Sequence, residues 1–86
     1  MKEKNLNMWR AEIEQIDYQI LDLLEKRFAC AQEIGAIKHK AGIPILDPER
    51  ETSLIQKYQA SCSGHLSLPF IKELFQMIFE ESRRHQ

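Results

Sequence analysis

Glycine and proline are scarce in this chain of 86 residues, three of each, so few positions can break a helix. Gly42 with Pro44 interrupts the sequence once, and Ser61, Ser63 and Gly64 followed by Pro69 interrupt it again. No segment alternates apolar and polar residues as a half-buried strand would. Cysteine is limited to Cys30 and Cys62, and no secretory apolar segment is seen near the N-terminus, so a disulfide scaffold is not expected. Two reduced, buried or half-buried thiols in a cytoplasmic protein are expected instead. The three histidines, His39, His65 and His85, lack metal-ligand spacing, and no metal is expected. No apolar run reaches membrane-spanning length. A formal net charge of -1 gives the whole molecule no electrostatic footprint for nucleic acid. Internal repeats, low-complexity tracts and inter-domain linkers are absent as well.

What remains is three helical segments in a single domain over residues 1–86, an all-α fold. The first runs from about 6 to 41. Ile13, Ile16, Ile20, Leu23, Leu24, Ala31, Ile34 and Ile37 recur at helical spacing, and Gly42 and Pro44 end it. The second, about 48 to 60, opens on Asp47 as N-cap with Pro48 at the first helical position and carries Leu54, Ile55 and Tyr58. The third, about 68 to 85, has Pro69 in its first turn and Ile71, Leu74, Phe75 and Ile78 as its apolar stripe.

At 1.5 Å per residue the first helix is roughly 50 Å long, and two short helices cannot cover it. Exposed apolar surface costs about 25 cal/mol per Å², and a chain this small is marginal alone. A second copy of the long helix, running antiparallel, would cover the surplus. An intertwined homodimer is therefore expected, with the self-complementary contact of a twofold.

The informative residues are polar ones on the apolar faces. Steps of three and four along the first helix read Arg10, Ile13, Asp17, Ile20, Leu24, Arg27, Ala31, Ile34, Lys38. Arg27 and Lys38 share a face about 16 Å apart, close enough for both long side chains to grip one small anion. Arg10 lies about 25 Å from Arg27, so it can serve the same site only from the partner chain. Glu51 precedes Ile55 by one turn on the second helix, flanked by Asp47 and Arg50. On the third, Ile78, Ser82 and Gln86 step by four.

Each residue taken singly has an ordinary structural account. Arg10 and Arg27 can snorkel over the core. Lys38 and Glu51 suit the two ends of a helix dipole. Asp47 is an N-cap in any case, and Ser82 and Gln86 fit a solvated helix end. Tyr58, Phe75 and Phe79 read as core. Together, however, they set cations, one carboxylate and two neutral hydrogen-bonders on the inward faces of three helices. No nucleophile–base pair and no glycine-rich phosphate loop accompanies them. Such a set suits binding a small dicarboxylate and stabilising charge as it develops, by positioning and preorganised electrostatics without a cofactor.

The chain resembles the all-helical type II chorismate mutases over essentially its whole length. The likeness is carried by Arg10-Ala11-Glu12-Ile13-Glu14-Gln15-Ile16-Asp17, Leu24-Glu25-Lys26-Arg27, Glu33-Ile34-Gly35-Ala36-Ile37-Lys38, Asp47-Pro48-Glu49-Arg50-Glu51 and Ile78-Phe79-Glu80-Glu81-Ser82, in this order and spacing. The resemblance implies three helices per chain in an interlocked dimer with two active sites, which rearrange chorismate to prephenate. It implies that Arg27 and the partner's Arg10 hold the two carboxylates. Lys38 would serve a carboxylate and the ether oxygen, and Gln86 the same ether oxygen. Glu51, with backbone near Asp47, would bind the ring hydroxyl. Arg50 and Ser82 would complete the polar shell, with Ile34, Leu54 and Phe79 as walls.

Three positions depart from the family pattern. Gln86 closes the sequence, where helices fray, so its role requires the last turn to be held by the dimer or by further chain. Arg83 stands where an apolar residue is expected, and Phe79 is bulkier than the aliphatic residue expected there. Two other activities share the fold: isochorismate–pyruvate lyase, against which Glu51 speaks, and a mutase for 4-amino-4-deoxychorismate, whose ammonium Glu51 also suits. A non-catalytic helical dimerisation or regulatory module is the alternative of another class.

Overall fold

The computed structural model describes residues 5–86, and its regular elements are all helices, with no strand among the described residues. Residues 1–4 of the expected domain lie outside the described residues. Helix α1 spans Leu6–Ala41, α2 Pro48–Ser61 and α3 Leu68–His85.

The ends are set by local chemistry. Asn5 caps α1, its Oδ1 accepting from the Met8 N–H at 3.0 Å. At the other end Gly42 adopts φ 68°, the left-handed conformation in which a side chain is strained. The Gly42 N–H reaches the His39 carbonyl and the Ile43 N–H the Lys38 carbonyl at 2.9 Å, closing a Schellman motif. Asp47 caps α2 by accepting from the Arg50 N–H at 3.1 Å, and Pro48 needs no partner at the first position. Ser67 caps α3 through the Phe70 N–H at 3.3 Å. The α2–α3 link is tied down by Gln59, whose Nε2 donates to the Leu68 carbonyl at 2.9 Å.

Helix α3 is the shared element: α1 and α2 each pack on it, rather than on one another. The core is correspondingly small. Ala31, Ile55, Ile71 and Phe79 are its buried apolar side chains, joined by Gly35 and Ser82. Tyr58, Phe75 and Phe79 form a tilted aromatic chain with centroid separations of 4.7 and 5.8 Å, as the core reading of these rings requires.

Helix α1 outruns this core. Every residue from Asn5 to Leu23 is exposed. Ile13 is 56% exposed, Ile16 50% and Ile20 49%, although helical spacing sets them on the stripe that continues into Leu24, Arg27 and Ala31. The molecule measures 59 × 24 × 17 Å, with a radius of gyration of 16.9 Å. A compact chain of this length has a radius near 12 Å. One thiol departs from expectation. Cys62 is half-buried, but Cys30 is exposed. Among the described residues, no helix is long and apolar enough to cross a membrane, and no cluster of His, Cys, Asp or Glu could hold a metal ion.

Candidate active site

The three helices converge where the second half of α1 meets the end of α3 and the start of α2. A cavity of about 320 Å³ opens there. Its polar lining includes Arg27 and Lys38 from α1, Asp47, Arg50 and Glu51 from the start of α2, and Ser82, Arg83 and Gln86 from the end of α3. Ile34, Leu54 and Phe79 form apolar walls. Seven of the eight residues singled out from the sequence therefore share one cavity. The eighth, Arg10, does not line it: this exposed residue is more than four turns up α1 from Arg27.

Four cations and two carboxylates line this space, an excess of positive charge suited to a dianion. Three of the four, Arg27, Lys38 and Arg83, are held by protein partners. The Arg27 guanidinium donates from Nη1 to Ser82 Oγ and sits 5.3 Å from the centroid of the Phe79 ring, a cation–π contact. Ser82 is only 5% exposed, so its hydroxyl is fixed by packing and in turn fixes Arg27. Lys38 donates from Nζ to the Ile45 carbonyl at 2.9 Å. An ammonium has three donors, so this contact orients Lys38 and leaves two for a ligand.

Glu51 is engaged by a residue whose place the sequence did not explain. Arg83 Nη1 donates to Glu51 Oε2 as an ion pair between half-buried side chains. Adjacent residues of α3 thus reach to both neighbours, Ser82 to Arg27 on α1 and Arg83 to Glu51 on α2. The Ile45 carbonyl and the Arg83 pair went unforeseen. A backbone acceptor leaves no mark in a side-chain pattern, and partners 32 residues apart share no periodicity.

Gln86 is the remaining polar group. Its Oε1 is buried without a hydrogen-bond partner. Its backbone packs on Gly35, where a Cβ would lie 2.5 Å from the Gln86 Cα and carbonyl oxygen. Gly35 is also a residue whose role was missed; an isolated glycine inside a helix, which costs about 1 kcal/mol against alanine, is the signal that marks a close approach.

Comparison with known proteins identifies the family. Residues 9–86 match the family model for chorismate mutase type II. The chain is 35% identical over 78 residues to the chorismate mutase of Methanocaldococcus jannaschii, covering 90% of this chain and 79% of that protein. It is 32% identical over 75 residues to the T-protein of Haemophilus influenzae, covering 85% of this chain but spanning only 20% of that relative's length. Among solved structures, the form I chorismate mutase from Thermus thermophilus superposes with a TM-score of 0.87 at 32% identity, covering 92% of this chain and 99% of that one. With the family model spanning nearly all of the described residues and the cations gathered in one cavity, this chain belongs to the chorismate mutase type II family.

Proposed function

We propose that residues 1–86 form one mutase domain that rearranges chorismate to prephenate in the cytoplasm, as part of aromatic amino acid biosynthesis, and that it works as a homodimer. The observation that carries this reading is the cavity itself. It gathers Arg27, Lys38, Arg50 and Arg83 with Asp47, Glu51, Ser82 and Gln86, and among the described residues neither the Cys30 thiol nor the Ser82 hydroxyl in its lining is hydrogen-bonded to a general base. In the rearrangement an ether carbon–oxygen bond breaks as a carbon–carbon bond forms. Atoms balance within one molecule and no proton moves. The protein then has to fold the enolpyruvyl arm over the ring and stabilise the charge that grows on the ether oxygen.

In this account Arg27, set by Ser82 and Phe79, takes one carboxylate. Lys38, held by the Ile45 carbonyl, donates to a carboxylate and to the ether oxygen. Gln86 donates to the same oxygen. Because its Oε1 accepts nothing, turning the amide over places Nε2 at that buried position as an unpaired donor. Glu51 and backbone beside Asp47 receive the ring hydroxyl, and Arg50 adds charge at the mouth.

The second carboxylate falls to the partner subunit's Arg10. The exposed apolar stripe of Ile13, Ile16 and Ile20, on a helix half that this chain leaves uncovered, is what a second copy would bury. An antiparallel partner helix sets its position 10 beside Arg27 and Lys38. The test is direct: purified protein with chorismate, with isochorismate and 4-amino-4-deoxychorismate in parallel. Prephenate from chorismate supports the reading; salicylate and pyruvate from isochorismate, or no turnover at all, contradicts it.

A further inference from the structure

Arg83 belongs to the cavity, yet none of the roles above uses it. Its guanidinium takes Glu51 Oε2, and the side chains of both residues are about a quarter exposed, at 28% and 27%. Glu51 Oε1 accepts no hydrogen bond among the described residues. The pair therefore divides the carboxylate: one oxygen is committed to Arg83, and the other is left to accept. Opposite charges in contact leave the Glu51 end of the cavity close to neutral, whereas an unpaired carboxylate there would present a full negative charge. An acceptor without net charge suits a neutral hydroxyl. A substrate bearing an ammonium at the same ring carbon gains little from it, and Arg83 itself repels that ammonium.

We infer that Arg83 is a positioning and specificity-determining residue, which through Glu51 makes the site select the hydroxyl-bearing ring of chorismate over its 4-ammonium analogue. The assignment rests on the mutase reading and deepens it. Glu51 alone fits either substituent, and its partner on α3 decides between them. Arginine suits the task because its charge is permanent and its planar fork holds a carboxylate in a fixed orientation.

The test compares kcat and KM for chorismate and 4-amino-4-deoxychorismate in the wild-type protein, Arg83→Met and Arg83→Lys, with helicity and oligomer size checked for each. The wild type should prefer chorismate. In Arg83→Met the ratio of kcat/KM for the amino substrate to that for chorismate should rise by about tenfold or more, the scale of one charge-assisted contact. The change should appear chiefly in the two KM values. Arg83→Lys, which keeps the charge, should restore most of the wild-type ratio. A purely structural pair would lower both substrates alike and leave the ratio unmoved. An unmoved ratio in a folded Arg83→Met protein, or a wild type that converts chorismate but prefers the amino substrate, overturns the assignment while leaving the conversion of chorismate standing. A wild-type protein that turns over neither substrate overturns the mutase reading, and the assignment with it.

Discussion

Gly35 of α1 and Gln86 at the end of α3 pack so closely that a Cβ on Gly35 would lie 2.5 Å from the Gln86 Cα and 2.9 Å from its carbonyl carbon. No flexible side chain intervenes; the conflict is with backbone. The same helix end is seated by His85, whose ring stacks on Phe28 at a centroid distance of 5.1 Å. The last turn of α3 is thus docked on α1.

Gly35→Ala should therefore separate helix formation from activity. Alanine favours the helix by about 1 kcal/mol, yet it must push Gln86 away. We expect near-native far-ultraviolet dichroism with kcat lowered by about tenfold or more, since a misplacement of about 1 Å can cost 100-fold. Unaltered kcat in a folded variant would remove Gln86 from the mechanism.

Lys38 supplies the charge nearest the proposed ether oxygen. Lys38→Ala should lower kcat by about 100- to 1000-fold, the cost of deleting one donor to developing negative charge. Size and helicity should not change, because the lost contact is a single bond to the Ile45 carbonyl. Steady-state kinetics beside gel filtration checks both halves of this expectation.

Subunit mixing tests where Arg10 acts. Arg10→Ala and Arg27→Ala should each be nearly inactive. Mixed and allowed to exchange, half the dimers are heterodimers, each with one intact and one doubly damaged site, so about one quarter of wild-type activity should return. If Arg10 serves its own chain, mixing restores no activity; if it serves nothing, Arg10→Ala is active by itself.

Ile71 of α3 is 2% exposed, within a core of few side chains. Ile71→Ala should cost about 2–5 kcal/mol. Urea unfolding followed at several protein concentrations measures it. The midpoint should also rise with concentration, as it does whenever association stabilises the folded chain.

Much of this was legible in the sequence because the signals were local. Gly42, Asp47-Pro48 and Ser67 mark the helix ends through capping chemistry that acts within four residues. Arg27, Lys38, Glu51, Ser82 and Gln86 could be gathered because each interrupts an apolar stripe at helical spacing. The Glu51–Arg83 pair could not, since a cation following Ser82 reads as a solvated helix end until the α2–α3 packing is known. Ile13 and Ile20 read as core but are exposed on this chain, because an apolar stripe records hydrophobic character without saying what covers it; the homodimer proposed above would cover them. Gly35 is the intermediate case: a helix glycine signals close approach without naming what approaches.

The most direct test is a chorismate assay with the product identified, run on the wild type and on Arg27→Ala and Lys38→Ala. Loss of chorismate absorbance with stoichiometric prephenate, confirmed by acid conversion to phenylpyruvate and all but abolished in both folded variants, is the predicted result. Chorismate left unchanged by a folded wild-type protein, or prephenate formed equally well by the variants, would contradict it.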